Sequence, residues 1–311
     1  MVKLKPVYKD FTWGGTKIRD VLHKDIGDFK KVAESWELAT HTNGECTIAE
    51  GKYAGMRLDE YFDIIGWEQL GEKTKGTRQL PVMIKYIDAK ENLSIQVHPT
   101  DEYAKAHSSD SGKNEMWYIL EADEDAFIYL GFNRDVTKEE VKTAVEKGTI
   151  EALLNRVPVK KGDVYYIPAG TVHAIGAGCL ICEVQQTSDA TYRLYDYGRN
   201  NPNRPCEPEK VLDVLNCKKT DAQMTSFESV RALARNMLGS QSKLVINEYN
   251  AEGEYSYHSL SSRFTVALCL EGSGTIESNE SAVLRQGDTW FFTEPQVKIC
   301  GKCRTLIVSV L

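Results

Sequence analysis

The chain has 311 residues, 41% of them hydrophobic and 27% charged, ordinary globular usage with apolar material for one or two cores. Its 38 Lys and Arg stand against 45 Asp and Glu, a formal charge of −7, so there is no global basic field and no nucleic-acid partner is expected. No run reaches the roughly 18 apolar residues of a membrane span, and residues 1–6 lack the apolar core of a secretory signal, so the expectation is a cytoplasmic protein with its eight cysteines reduced.

In chain order, short runs rich in Val, Ile and aromatic residues recur between turn signals, the pattern of strands. They fall at 81–87 (Pro-Val-Met-Ile-Lys-Tyr-Ile), 116–120 (Met-Trp-Tyr-Ile-Leu), 164–167 (Val-Tyr-Tyr-Ile) and 264–270 (Phe-Thr-Val-Ala-Leu-Cys-Leu). Helical period is rarer. Thr137 caps a helix over 137–148, with Glu139 and Glu140 in its first turn and Gly148 as its stop, and a second helix is expected over 226–237. Residues 198–208, rich in Asn, Pro and Arg, read as a connection. Many strands and few helices point to a sandwich, jelly roll or barrel.

An internal repeat is visible. Gly162-Asp163-Val164-Tyr165-Tyr166-Ile167-Pro168 aligns with Gly287-Asp288-Thr289-Trp290-Phe291-Phe292-Thr293, and Leu120-Glu121 with Leu270-Glu271. Carried further, the alignment sets Val172-His173 on Val297-Lys298 and Glu115 on Thr265. Chemistry that needs Glu115 and His173 therefore belongs to the first copy alone.

Three places in that copy carry metal-ligand chemistry. In Leu93-Ser94-Ile95-Gln96-Val97-His98-Pro99, strand alternation turns Ile95 and Val97 to the core and Gln96 with His98 to the other side. Glu115 stands directly before an apolar run. In Gly162-x5-Pro168-x-Gly170-x2-His173, a strand ends in a Pro-Ala-Gly turn that delivers His173. Two imidazoles and a carboxylate on neighbouring strands close round one divalent ion, with the Gln96 amide oxygen as a weaker fourth ligand, leaving room for water or substrate. The other histidines, His23, His41, His107 and His258, read as ordinary core or surface residues.

The spacing from Gly162 to His173 resembles the second cupin motif. The run from Ile84-Lys85 to Pro99, Lys113-x-Glu115-Met116, Glu183-x5-Asp189-x3-Arg193 and Trp36-Glu37-Leu38 resemble the type I mannose-6-phosphate isomerases, in their short bacterial form, over essentially the whole chain. The resemblance implies a mainly β, double-cupin fold: two jelly-roll β-sandwich units with a few short helices. Residues 1–200 would form the catalytic, metal-binding cupin with a helical segment near 137–156, and residues 201–311 a degenerate cupin without ligands. It further implies one zinc ion per chain on Gln96, His98, Glu115 and His173, and interconversion of mannose 6-phosphate and fructose 6-phosphate through an enediol(ate).

Such a reaction needs a base, a group that stabilises developing negative charge, and a phosphate anchor. The cationic candidates are Lys85, inside an apolar strand where a charge must face something polar, Lys113, two residues before Glu115, and Arg193, which matches the family's catalytic arginine. Glu183 and Asp189 are the carboxylates near Arg193, with Glu183 the expected proton-transfer participant. Glu37 and His41 line the same cavity or serve as caps. Where long-form relatives carry a histidine before the lysine of Lys-Pro-Glu, this chain has Gly112 before Lys113-Asn114-Glu115, so that histidine cannot be its proton shuttle. Cys179-x2-Cys182 and Cys300-x2-Cys303 are too far apart in sequence for a zinc ribbon. The alternatives are an iron-dependent cupin dioxygenase, for which the imidazoles are too few, another sugar-phosphate isomerase or epimerase, and a non-catalytic sugar-binding cupin.

Overall fold

Gly162 (φ +91°) and Gly287 (φ +84°) turn the chain in the left-handed region that glycine tolerates. Each is followed by an aspartate whose Oδ2 accepts a backbone N–H at 2.9 Å, from Lys160 to Asp163 and from Arg285 to Asp288. The β-branched and aromatic residues beyond these turns form the strands Val164–Ile167 and Thr289–Phe292. Gly162 N donates to Ile119 O at 2.9 Å, as Gly287 N does to Cys269 O at 2.8 Å. Ile167 then lies opposite Glu115, and Phe292 opposite Thr265. The sequence repeat is thus a repeat of hydrogen-bond register, with threonine where the first copy has glutamate.

The computed structural model describes residues 1–311 apart from 109, 200, 223–226, 239–242 and 259–262. It is mainly β, 42% strand against 19% helix, in antiparallel sheets, a double-cupin architecture. No helix among the described residues is long and apolar enough to cross a membrane.

Two compact units are present. The first comprises Met1–Asp10, Thr16–Tyr86 and Arg231–Leu311. Its long strands Leu244–His258 and Gln296–Val310 pair from Leu244 opposite Val310 to His258 opposite Gln296. Phe264–Glu277 follows, then Thr289–Phe292 and the N-terminal Val2–Lys5, with Val2 opposite Phe291. This pairing is why the units cut the chain elsewhere than between residues 200 and 201: the N-terminal segment is hydrogen-bonded to the second copy's strand. A strand's own hydropathy does not name its partner.

The second unit comprises Phe11–Gly15 and Ile87–Val230. Two antiparallel sheets face each other in it. One runs in the order Leu154–Pro158, Phe127–Phe132, His173–Ile175, Ile95–Val97, Tyr192–Tyr195, and the other includes Val164–Ile167, Glu115–Ala122 and Cys179–Gln186. Ile95 and Val97 bury their side chains with Phe132, Leu154, Tyr192 and Leu194, and Val141 and Ala144 of the helix Lys138–Glu146 close this cluster. Fully burying each large aliphatic side chain contributes about 1.5–3 kcal/mol.

That helix begins in a capping box: Glu140 N donates to Thr137 Oγ1 at 3.1 Å and Thr137 N to Glu140 Oε2 at 2.8 Å. It stops before Gly148 (φ +66°), so the helical segment expected near 137–156 is shorter than that span. Ile150–Leu153 is a single 3-10 turn and Leu154–Pro158 a strand paired with Phe127–Phe132. The second expected helix is Phe227–Ala234, with Ser226 outside the described residues.

Candidate metal centre

Gln96 and His98 leave their strand on the side opposite Ile95 and Val97, as alternation requires. From the adjoining strand His173 enters, directly opposite Gln96. Its position is fixed by the turn before it: Gly170 N donates to His98 O at 2.8 Å and Gly131 N to Val172 O at 2.7 Å. Glu115 comes from the facing sheet. Its Oε1 lies 3.1 Å from His98 Nε2 and its Oε2 3.6 Å from His173 Nε2, and both imidazoles and the carboxylate are at most 1% exposed. Among the described residues these three form the one group of three or more His, Cys, Asp or Glu side chains able to share an ion.

The outer nitrogens settle the proton positions. His98 Nδ1 is 2.9 Å from Ala190 O and His173 Nδ1 is 2.8 Å from Thr171 O. A carbonyl only accepts, so each Nδ1 carries the hydrogen, and in the neutral rings that burial favours each Nε2 presents a lone pair inward. Those two Nε2 atoms are 3.2 Å apart. Two lone pairs and a carboxylate, aimed at one point, repel unless a cation stands among them. Neither carboxylate oxygen makes a well-directed hydrogen bond, although Lys113 Nζ reaches Oε1 at 2.6 Å and His98 Nε2 at 3.3 Å. Gln96 turns its amide nitrogen to His173 at 3.4 Å, so its oxygen would face an ion after rotation of the amide.

Electrostatics keep these groups in ligand form. Burial, helped by the Lys113 ammonium, lowers the His98 imidazole to about 3, and burial also lowers His173. For Glu115, burial pushes upward but Lys113 and His98 overcome it and hold the carboxyl well below its usual range. Lys113 is pulled down by burial and raised further by Glu115 and Glu183, so it stays charged.

The remaining expected site residues divide. Glu183 lies opposite Trp117 and accepts its indole N–H at 2.8 Å, and the Trp117 ring meets the His173 ring edge-on at 5.5 Å. Arg193 lies opposite Gln96; cross-strand partners share a face, which puts Arg193 on the ligand side while Tyr192 and Leu194 join the apolar cluster. Burial lowers its pKa, opposed by Asp196 and Asp189. Asp189 N donates to Asp110 Oδ2 at 2.8 Å.

Lys85 belongs to the other compact unit. Its buried ammonium lies 3.4 Å from Glu34 Oε2 and 4.7 Å above the Trp36 ring, and Glu34 also accepts the Trp36 indole N–H at 2.7 Å. Glu34 escaped the sequence reading, although Glu34-x-Trp36 has the alternation that puts both on one face. In the same unit Glu37 is fully buried and accepts from Lys24 at 2.8 Å, Ser35 at 2.5 Å and Thr289 at 2.6 Å. His41 Nδ1 accepts Asn43 N at 3.1 Å in the turn between the strands Thr40–His41 and Gly44–Glu45.

Gly112 has a steric reason. A Cβ there would lie 2.3 Å from Asp101 N and 2.6 Å from Thr100 C, so no side chain fits where the long form has histidine. All eight cysteines are free thiols, and no cysteine ligand set forms among the described residues.

Comparison with known proteins places this geometry. The model of the phosphomannose isomerase type I catalytic domain matches residues 1–151. Mannose-6-phosphate isomerase ManA of Bacillus subtilis is 37% identical over 284 residues, 89% of this chain and 87% of that one. The mannose-6-phosphate isomerase of Streptococcus mutans is 34% identical over 280 residues, covering 89% and 87%. The crystal structure of the Bacillus subtilis mannose 6-phosphate isomerase superposes with a TM-score of 0.84 at 29% identity, over 99% of this chain and 98% of that one. The chain belongs to the type I phosphomannose isomerases, a family of aldose–ketose isomerases.

Proposed function

We propose that this protein interconverts mannose 6-phosphate and fructose 6-phosphate, with one zinc ion held by Gln96, His98, Glu115 and His173. The observation that carries the metal is the convergence of two inward lone pairs, 3.2 Å apart, on a buried carboxylate. Two nitrogens, a carboxylate oxygen and an amide oxygen suit zinc, and the set leaves coordination positions for substrate oxygens. Bound there, zinc supplies Lewis-acid stabilisation of negative charge on a sugar oxygen.

The rest of the work falls to the side chains. Isomerisation moves a proton between C1 and C2, so a base must take it from one carbon and return it to the other. Glu183 is the proposed participant, its carboxylate oriented by the Trp117 indole. Lys113, kept charged beside Glu115, and Arg193, on the Gln96 side of the sheet, are cations for the enediolate or for the phosphate, which a guanidinium grips with two parallel hydrogen bonds. Lys85 is proposed as a third cation, its ammonium 3.4 Å from Glu34. Catalysis is assigned to the first copy, residues 1–200; in residues 201–311 Thr265 and Lys298 stand where Glu115 and His173 stand. Eight free thiols support a cytoplasmic setting.

The test couples metal to turnover on one preparation: metal content and fructose 6-phosphate formation, before chelation, after it, and after zinc return. Activity should vanish and come back. His173→Ala should lose metal and activity together, and Arg193→Ala should keep metal and lose turnover. Bound metal without turnover on this sugar phosphate would overturn the assignment in favour of a binding cupin or a different substrate.

A further inference from the structure

Lys113 and Glu115 flank a residue that points away from the cluster, since neighbours in an extended chain alternate. That residue, Asn114, uses both ends of its amide. Its Nδ2 donates to Gln186 Oε1 at 2.6 Å, and its Oδ1 accepts Ala169 N at 2.9 Å. Asn114 N also donates to Gln186 Oε1 at 2.9 Å, and Gln186 N returns a bond to Asn114 O at 3.1 Å. Gln186 is 5% exposed and its amide can face only one way: the oxygen takes two Asn114 donors, while Nε2 donates to both oxygens of Asp101 at 3.3 Å. Asp101 Oδ1 in turn accepts Gly112 N at 3.0 Å.

Three elements therefore meet on Asn114. They are the segment carrying Lys113 and Glu115, the end of the strand carrying Glu183, and the Pro168–Gly170 turn that delivers His173. We infer that the Asn114–Gln186–Asp101 network is a positioning clamp that sets Glu115 and His173 at the spacing a metal ion requires. None of the three touches the cluster. They act through the backbone, as outer-sphere partners that fix ligand geometry before an ion arrives. The inference rests on the reading of His98, Glu115 and His173 as ligands.

The network's polarity supplies the experiment. Gln186→Glu keeps the acceptor for Asn114 but sets a carboxylate against Asp101. Adding Asp101→Asn restores a donor toward residue 186 while still accepting Gly112 N. Zn2+ affinity, by competition with a chromophoric chelator, and the visible absorption of the Co2+-loaded protein are the readouts, with thermal melts of the metal-free forms as a folding control. Asn114→Ala and Gln186→Glu should each weaken Zn2+ binding on the order of 10–100-fold and alter the Co2+ spectrum, and the Gln186→Glu/Asp101→Asn double variant should recover both. Single variants that bind like the wild type would overturn the clamp, as would a folded double variant that stays weak. If Asn114→Ala does not fold, the Gln186 pair decides alone. A wild-type protein that binds neither ion would instead refute the ligand reading beneath it.

Discussion

Replacing Glu115 by glutamine in the metal-free protein isolates the charge at the heart of the cluster. The substitution keeps the shape and removes the anion beside Lys113, whose ammonium lies 2.6 Å from Oε1 with only 4% of the residue exposed. A buried pair broken from one side leaves an unpaired charge, at a cost of about 3–5 kcal/mol. For a folding unit of roughly 150 residues, that corresponds to a Tm lower by roughly 6–20 °C. Lys113→Met should lose less. Burial and, second to it, the ammonium hold the His98 imidazole down; with the ammonium gone and Glu115 still beside it, His98 takes a proton more readily and supplies part of the missing positive charge. The Lys113→Met/Glu115→Gln double variant has no orphaned charge, so its Tm should lie above that of Glu115→Gln alone. Thermal melts by circular dichroism in the presence of chelator measure all four corners of the cycle. A Glu115→Gln variant that melts with the wild type, or a double variant at the simple sum of the singles, would show that the pair carries no such energy.

Three further outcomes are expected. Saturating zinc should raise Tm and chelator should lower it, by an amount that corresponds to about 2.7 kcal/mol at one hundred times Kd; a Tm indifferent to zinc would deny a folded-state site. Gly112→Ala sets its Cβ against backbone atoms at 2.3 and 2.6 Å that cannot rotate aside, so a loss of at least about 1–3 kcal/mol should appear in urea titration, and an unchanged midpoint would refute the steric account. The His98 imidazole is depressed from 6.5 to about 3, so the unfolded chain takes up its proton first as pH falls. The metal-free protein should therefore hold this contribution above about pH 6.5 and lose it toward pH 3, by up to about 1.4 kcal/mol per pH unit, and the His98→Gln variant should show a shallower profile.

What the sequence made legible was local. The alternation of Ile95, Gln96, Val97 and His98 predicted which side chains face the core, and the Gly-Asp turns predicted two equivalent strands, because both signals are spent within a few residues. The helix over Lys138–Glu146 was readable for the same reason, since its cap and its stop lie at its own ends. What stayed hidden was partnership across the chain. Nothing in Val2–Lys5 announces Thr289–Phe292 as its neighbour, and so the compact units run discontinuously through the sequence. Lys85 was visible as a misplaced charge, but its Glu34 and Trp36 partners lie some fifty residues earlier. Asn114 looked like the bystander between Lys113 and Glu115; only the bonds to Gln186 and Ala169 give it a role.

The two copies also supply an internal control on why these residues are there. At the register position where the first copy pairs Glu115 with Gln185, the second pairs Thr265 with Ser309. Thr265, Ser309 and the Tyr257 hydroxyl bond to one another, so the second copy buries this spot with neutral groups that satisfy each other. The same strand architecture therefore closes at this position with neither a carboxylate nor an imidazole. Packing does not demand Glu115 and His173, and their burial is costly: a carboxylate with no well-directed hydrogen bond beside two lone pairs met only at 3.3 Å by Lys113 and 3.4 Å by the Gln96 amide. A charge-poor solution exists in the same chain, on the same register, and the first copy does not use it. The cost accords with the proposed role, holding a cation whose charge would turn three mutually repelling groups into ligands.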